Sequence, residues 1–204
     1  MKKRVVWKDG DFVVLKVREG LYTVARMLKE AMLCVYDIFR QEDCWDGVDW
    51  GEVKPLFCVF VGSVVQKNMA IRKIAVKGVK EGCSVSQRHW IVAYRAMDKS
   101  HFKGGPDTFF LFGGRLVDLG GDERVETYEA PVLKHDLSVE EDRNIIEKYE
   151  LVNMWSDRDL SDRLARYHDT GINRDDLKFE IFPGLWHDRE VLRPLTRRLP
   201  IPMR

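Results

Sequence analysis

The sequence predicts an α+β fold, in which an antiparallel, strongly curled sheet or small barrel carries two helices packed on it near the C-terminus. Short segments rich in β-branched and aromatic residues follow one another through the first 120 residues, with turn residues between them. No long helical period separates these segments, which argues against a parallel α/β fold. Helix start signals appear only after about residue 136, so the helices are expected to follow the sheet.

Glycines and polar turns bound the predicted strands. The first strand is expected at 11–17, after Gly10, and the polar turn that ends at Gly20 leads into a hairpin partner at 21–28. Further strands are expected, in chain order, at 32–39, 56–65, 70–76, 90–96 and 108–119. Short strands at this spacing are typical of curled antiparallel sheets and small barrels.

A capping box begins the first predicted helix. Ser138 is expected to cap the N-terminus, with the Glu141 side chain reaching back to the Ser138 amide. Apolar residues at 145, 146 and 149 then predict a helix of about three turns. A short strand is expected to follow at 151–155.

A second start signal, at Ser156, begins another predicted helix. One face of this helix is expected to carry Leu160, Leu164 and Tyr167. Gly171 is expected to end the helix in a left-handed conformation. The segment 177–182 is predicted to return to the sheet, and the tail 185–204 to be extended. Because the sequence contains no repeat and no linker, residues 1–204 are expected to form a single domain.

Composition and charge argue against several function classes. The 34 Lys and Arg residues against 33 Asp and Glu give a net charge of +1, so no overall field steers the chain onto nucleic acid or an acidic membrane. The longest apolar run, 56–65, is too short to span a bilayer. The four cysteines lack the spacing of a zinc site, and neither a metal nor a cofactor is predicted. We therefore expect a soluble, cytoplasmic protein.

Catalytic motifs are absent from the sequence. It contains no nucleophile elbow, phosphate-binding loop or zinc-protease motif, and no catalytic residue is predicted. The five histidines lie on different predicted elements. The neighbours His168 and Asp169 are expected to point in different directions. The sequence therefore favours a non-enzymatic role.

The segment 41–52 combines five carboxylates and two tryptophans with no basic residue. Aromatic area beside acidic groups is what a binding surface for a basic partner needs, because the indoles supply buried area and the carboxylates speed encounter. We predict an exposed loop between two strands that contributes to partner binding. One alternative is a polar loop whose tryptophans cap the core. The other is a metal or acid–base site, although the spacing of the carboxylates is not that of an EF-hand. The candidate partner-binding residues are Glu42, Asp43, Trp45, Asp46, Asp49, Trp50 and Glu52.

The two tryptophans allow these alternatives to be separated. If both are exposed, Trp45→Ala or Trp50→Ala is expected to weaken partner binding by about 2 kcal/mol with almost no change in melting temperature. Large destabilisation with unchanged binding is the result expected of core tryptophans.

Several N-terminal motifs carry a resemblance to a known family. Gly10-Asp11 opens an apolar strand, Gly20-Leu21-Tyr22 follows a turn, the next strand ends in Arg26-Met27-Leu28, and Tyr36-Asp37 lies in the third strand. These motifs, with similar segments at 54–59 and 150–164, resemble the bacterial immunity protein 26 family over about 1–75 and 145–168. We interpret the motif residues as scaffold: Gly10, Asp11, Gly20, Tyr22, Tyr36 and Asp37. Asp11 is expected to bond a turn amide.

The resemblance implies a cytoplasmic α+β protein that binds and neutralises a cognate polymorphic toxin in the bacterium that produces it. The implied partner is the toxin domain, with no membrane involved. Two alternatives stay open. One is a phosphotriesterase-like hydrolase with a His/Asp site assembled from distant parts of the chain. The other is a small barrel that binds nucleic acid, against which the near-zero net charge argues.

Overall fold

The computed structural model describes residues 5–78, 88–98, 108–120 and 125–188. The elements in these ranges confirm the α+β class. They are, in chain order, β1 (Phe12–Arg18), β2 (Leu21–Leu28), β3 (Met32–Arg40), β4 (Pro55–Val61), α1 (Ser63–Asn68), β5 (Ala70–Ile74), β6 (His89–Asp98), β7 (Thr108–Asp118), β8 (Val132–Lys134), α2 (Val139–Lys148), β9 (Met154–Trp155), α3 (Asp157–Thr170) and α4 (Lys178–Ile181).

The described residues group into two compact units that alternate along the sequence. Unit 1 contains 5–78 and 153–173, and unit 2 contains 88–98, 108–120, 125–152 and 174–188. The expectation of a single domain stays a prediction. The predicted extended tail lies outside the described residues after Asp188.

Unit 1 is built on a six-stranded sheet with the strand order β5-β1-β2-β3-β4-β9. Neighbouring strands are antiparallel except β4 and β9, which pair in parallel. In the described residues, β5 and β9 end the sheet without pairing with each other, so the sheet is open. The closed barrel is therefore not confirmed, nor is the strong curl.

Apolar residues cover both faces of this sheet. Alternation along β1 sends Val13 and Leu15 to one face, where they form a core with Leu160 and Leu164 of α3. Val14, between them, points to the opposite face and belongs to a second apolar cluster. Because both faces are apolar, each must be covered to exclude water.

The ends of α3 confirm the sequence-based prediction. The hydroxyl of Ser156 accepts the amide N–H of Asp159 at 3.2 Å, which satisfies an amide of the first turn. Gly171 ends the helix with φ of +75°, a conformation that glycine adopts without steric cost.

Unit 2 is a three-stranded sheet, β6-β7-β8, with α2 and α4. Its core includes Ile91 and Leu116 of the sheet, Ile146 of α2 and Ile181 of α4. Ser138 caps α2 as predicted and accepts the Glu141 amide at 3.2 Å.

The reciprocal bond of the predicted capping box is made by a different residue. The amide of Ser138 donates to the carboxylate of Asp142, at 3.1 Å, and not to that of Glu141. Asp142 is buried and also bonds the ammonium of Lys134 on β8, so it joins the start of α2 to the sheet. Glu141 is exposed and serves the cap through its backbone.

Three predicted strands differ in the structure. The strand expected at 151–155 is only Met154–Trp155. The strand expected at 56–65 ends at Val61, and α1 follows it. The strand expected at 177–182 is the short helix α4, and that prediction was wrong. The carboxylate of Asp175 accepts the Leu177 amide at 3.0 Å, which starts a turn where the apolar alternation suggested extended chain.

The buried ammonium of Lys178 holds the end of α2. It donates to the carbonyl oxygens of Ile146 at 2.6 Å and Tyr149 at 2.8 Å. The last carbonyls of a helix lack partners within the helix, and a cation at this end also opposes the negative end of the helix dipole. Lys178 therefore fixes α4 against α2.

Replacing Lys178 by Met is expected to lower the free energy of unfolding by about 3 kcal/mol, because buried carbonyls lose a charged donor. Lys148→Met, at an exposed position on α2, is the matched control and is expected to change it by about 0.5 kcal/mol or less. Urea unfolding followed by circular dichroism measures both. Equal effects of the two changes would contradict this role for Lys178.

Candidate functional site

The acidic segment 41–52 connects β3 to β4, so the predicted loop between two strands is confirmed. We call it the acidic loop. Trp45 and Trp50 have only 8% and 9% of their surface exposed, and their ring centroids lie 6.2 Å apart. They form the second apolar cluster with Val14 of β1 and Val24 of β2. The loop therefore covers the sheet face that α3 does not.

This burial corrects one expectation for the acidic loop. The predicted loss of binding on replacing Trp45 or Trp50 by Ala required both indoles to be exposed. Both are buried, so this prediction does not apply. The physical reason is the apolar face beneath, because indoles placed there remove both themselves and the sheet from water. The structure thus agrees with the alternative of tryptophans that cap the core.

Hydrogen bonds and an ion pair hold the acidic loop in place. The carboxylate of Asp43 accepts the indole N–H of Trp45 at 2.8 Å. It also accepts two bonds from the guanidinium of Arg72 on β5, at 2.8 and 2.9 Å. The hydrogen bond with Asp43 raises the pKa of Arg72 above its ordinary value. Because Asp43 is tied to both the loop and β5, it has a structural role.

Four of the predicted carboxylate residues are exposed on the same loop. Asp49 also shapes the chain, since its carboxylate accepts the Gly51 amide at 3.0 Å. With the indoles buried and Asp43 ion-paired, the loop presents carboxylates on a fixed backbone. The exposed residues are Glu42, Asp46, Asp49 and Glu52.

The residues of the family-like motifs occupy structural positions. Gly10 and Gly20 have φ of +85° and +65°, which a side chain would strain. Among the described residues, no turn amide donates to the Asp11 carboxylate, contrary to the expectation. Its carboxylate pairs with the ammonium of Lys73 on β5 at 2.6 Å, which ties two strands together. Tyr22 is partly buried and packs against the second apolar cluster, which contains the acidic-loop tryptophans.

Tyr36 and Asp37 point to different surroundings. Tyr36 is buried, with its ring 5.6 Å from that of Phe12. Asp37 is exposed and accepts the hydroxyl of Tyr167 on α3 at 2.9 Å. Burial raises the pKa of the Tyr167 hydroxyl, and the bond to Asp37 adds to this effect. Asp37 therefore links the sheet to the helix that covers it.

A second link lies at the end of α3. The guanidinium of Arg18 donates two bonds to the carboxylate of Asp169, at 2.6 and 2.7 Å. His168 Nδ1 lies 2.8 Å from the same carboxylate, so the expectation that these neighbours point apart was wrong. Phe39 packs against the rings of Tyr167 and His168. We call this group the helix-end cluster: Arg18, Asp37, Phe39, Tyr167, His168 and Asp169.

Most of the helix-end cluster is not predicted by the sequence. Arg18 and Asp169 are 151 positions apart, and no local pattern predicts their contact. The bond from Arg18, with that from His168, holds the pKa of Asp169 at about 2. An aspartate held by an imidazole and a guanidinium resembles part of a catalytic array. Here the bonds from Arg18 tie α3 to β1, and the bond from His168 lies within the end of α3.

The described residues carry no metal cluster and no membrane span. Among residues 5–78, 88–98, 108–120 and 125–188, no three His, Cys, Asp or Glu side chains come together in a way that could hold a metal ion. Within the same parts of the chain, none of the helices has both the length and the apolar character needed to cross a bilayer.

The fold and these surfaces define an α+β protein with an open mixed sheet and a structured acidic loop. Residues 2–187 match the family model described as a domain of unknown function, DUF8309, and the chain belongs to this family. No curated protein and no solved structure matches the chain. The resemblance to the immunity protein 26 family therefore stays a prediction.

The buried indoles predict a stability effect. Trp45→Ala or Trp50→Ala is expected to lower the free energy of unfolding by about 3 kcal/mol, because each change leaves a cavity over the sheet. Tyr128→Ala is the control, at an aromatic residue that is 77% exposed, and is expected to change it by about 0.5 kcal/mol or less. Denaturant unfolding followed by circular dichroism tests this. A change of less than 1 kcal/mol for both tryptophans would contradict their role in the core.

The depressed pKa of Asp169 predicts a pH dependence. Since its carboxylate is bound in the folded state, it stabilises the protein above the pKa of the unfolded chain, about 4, and this contribution is lost as the pH falls through about 2. Asp169→Asn is therefore expected to be less stable than the parent at pH 6, by about 1 kcal/mol or less because the pair is half exposed.

The difference in the free energy of unfolding between the parent and the Asp169→Asn protein is expected to shrink as the pH falls from about 4 to about 2. Urea unfolding of both at a series of pH values measures it. A difference that stays constant over this range would show that the ionisation of Asp169 does not contribute.

Proposed function

We propose that this chain is a cytoplasmic immunity protein that binds a cognate polymorphic toxin domain and neutralises it, using the acidic loop as its binding surface. The observation that carries the proposal is a set of exposed carboxylates on a loop whose backbone is fixed from below. The proposal also rests on the family-like motifs of β1, β2 and β3.

The fixed backbone of the acidic loop favours binding. Trp45 and Trp50 are buried, and Asp43 is bonded to Trp45 and Arg72, so little backbone order has to be gained on association. A surface ordered in advance avoids part of the entropy cost of binding. This supports a direct contact between the loop and a partner.

Charge indicates the kind of partner. Four carboxylate residues are exposed on the acidic loop: Glu42, Asp46, Asp49 and Glu52. The carboxylate of Asp43 forms an ion pair with Arg72. Exposed carboxylates on one short loop attract a basic partner over several ångströms. The proposed toxin surface is therefore rich in Lys and Arg.

The position of the loop agrees with a separation between scaffold and binding surface. The motif residues Gly10, Gly20 and Tyr36 serve turns and the core, and the acidic loop begins directly after β3. Binding residues are commonly carried on loops that a rigid scaffold positions. On this proposal, the motif residues stabilise the fold, and the acidic loop determines which toxin domain is bound.

The proposal requires a neighbouring gene that encodes the cognate toxin domain, and co-expression of that domain with this chain tests the proposal. The parent chain is expected to restore growth and to bind the purified domain. Glu42→Lys with Asp46→Lys is expected to slow association about tenfold or more in low salt, and to reduce the dependence of that rate on salt.

Glu19→Lys is the matched control, because Glu19 is an exposed carboxylate residue on the turn between β1 and β2. It is expected to leave association and rescue unchanged. If the parent chain fails to bind or to rescue, the immunity function is wrong. Full binding by the Glu42→Lys, Asp46→Lys protein would instead show that another surface is used.

A further inference from the structure

Two cysteines lie directly opposite each other in the sheet of unit 1. Cys34 on β3 is the register partner of Cys58 on β4. Both are thiols in the structure, and neither has any exposed surface. Since directly opposite residues project to the same face of a sheet, the two sulfur atoms are on one side.

The backbone bonds identify the type of this pair. The amide of Val61 donates to the carbonyl of Ala31, its opposite residue, at 2.9 Å, which makes 31 and 61 a hydrogen-bonded pair. Hydrogen-bonded and non-hydrogen-bonded pairs alternate along antiparallel strands. Leu33 and Val59 are therefore hydrogen-bonded, and Cys34 and Cys58 form a non-hydrogen-bonded pair.

Non-hydrogen-bonded pairs bring side chains closer. Their Cα atoms are about 4.5 Å apart, against about 5.5 Å in the other type. A disulfide needs Cα atoms roughly 4.4 to 6.8 Å apart and Cβ atoms near 3.8 Å. From this register we propose that Cys34 and Cys58 are a reversible redox site, which a disulfide oxidant of the glutathione type converts into a cross-strand disulfide.

The chemistry is a two-step thiol–disulfide exchange. One cysteine thiolate attacks glutathione disulfide, forms a mixed disulfide and releases one glutathione thiolate. The second cysteine thiolate attacks the protein sulfur of that mixed disulfide and displaces the second glutathione. The two protein thiols lose two electrons and two protons, and two glutathione molecules carry them away as thiols.

The site lies at the base of the acidic loop. A disulfide between Cys34 and Cys58 joins β3 and β4, the two strands that flank the acidic loop. It therefore closes a covalent ring that contains the whole acidic loop. Closing such a loop lowers the entropy of the unfolded chain and raises stability. The buried thiols become accessible when β4 opens, and its outer neighbour β9 has only two residues, so few backbone bonds hold that edge.

Equilibrium with glutathione tests the site in the unmodified protein. The native protein and the protein in concentrated guanidinium are equilibrated with glutathione and its disulfide, quenched, digested and analysed by mass spectrometry. The peptide linking Cys34 to Cys58 is expected in the native sample, with an equilibrium constant about tenfold or more above the denatured value. The oxidised protein is expected to melt at a higher temperature.

Internal controls are present in the chain. Cys44 is exposed on the acidic loop and is expected to give only a mixed disulfide with glutathione. Leu33→Cys with Val59→Cys, made in a Cys34→Ala, Cys58→Ala background, tests the neighbouring hydrogen-bonded pair and is expected to form its bond less favourably. A native equilibrium constant equal to or below the denatured one, or disulfides spread among all the cysteines, would overturn the proposal.

Discussion

The sheet of unit 1 is apolar on both faces, and the rest of that unit follows from the need to cover them. Val13 and Leu15 point to one side, and Val14 to the other. One face receives α3 through Leu160 and Leu164. The other receives the acidic loop through its indoles, although the same loop is one of the most polar segments of the sequence. Burial of apolar area thus sets the position of both covering elements.

Polar bonds at the rim then fix each covering element in place. Asp37 holds Tyr167, and Arg18 holds Asp169, so α3 is attached to the sheet through two different strands. On the other face, Arg72 holds Asp43 of the acidic loop. Such half-exposed pairs add little to stability one by one. Their value here is geometric, because each bond specifies which residues of two elements are neighbours.

Local signals in the sequence predict the elements better than their contacts. The hairpin of 21–28, the caps at Ser138 and Ser156, and the end at Gly171 depend on neighbouring residues, and they are confirmed. The strand predicted at 177–182 was wrong because a side chain two residues upstream, Asp175, bonds the Leu177 amide. Apolar alternation over so few residues does not distinguish a strand from a single buried helical turn.

In the candidate site, too, the sequence predicts local features better than contacts. Five carboxylates in the acidic loop are visible in the sequence, and so is its position between two strands. Whether Trp45 and Trp50 face water or the core depends on the face of β1 and β2 beneath them, which lies outside the loop sequence. The helix-end cluster depends on contacts across more than 100 positions, as between Asp37 and Tyr167, and only the fold brings them together.

The alternation of the two units along the chain has a consequence for synthesis. All strands of the first sheet except β9 are complete by Ile74, but α3 and β9 follow only after residues 88–152 of unit 2. A nascent chain that has reached residue 152 therefore lacks the helix that covers Val13 and Leu15. Long-range closure of this kind is slow, and intermediates with exposed apolar surface are prone to aggregate. Ribosome stalling or proteolysis before Asp157 would leave a fragment whose uncovered apolar sheet face is a target for chaperones.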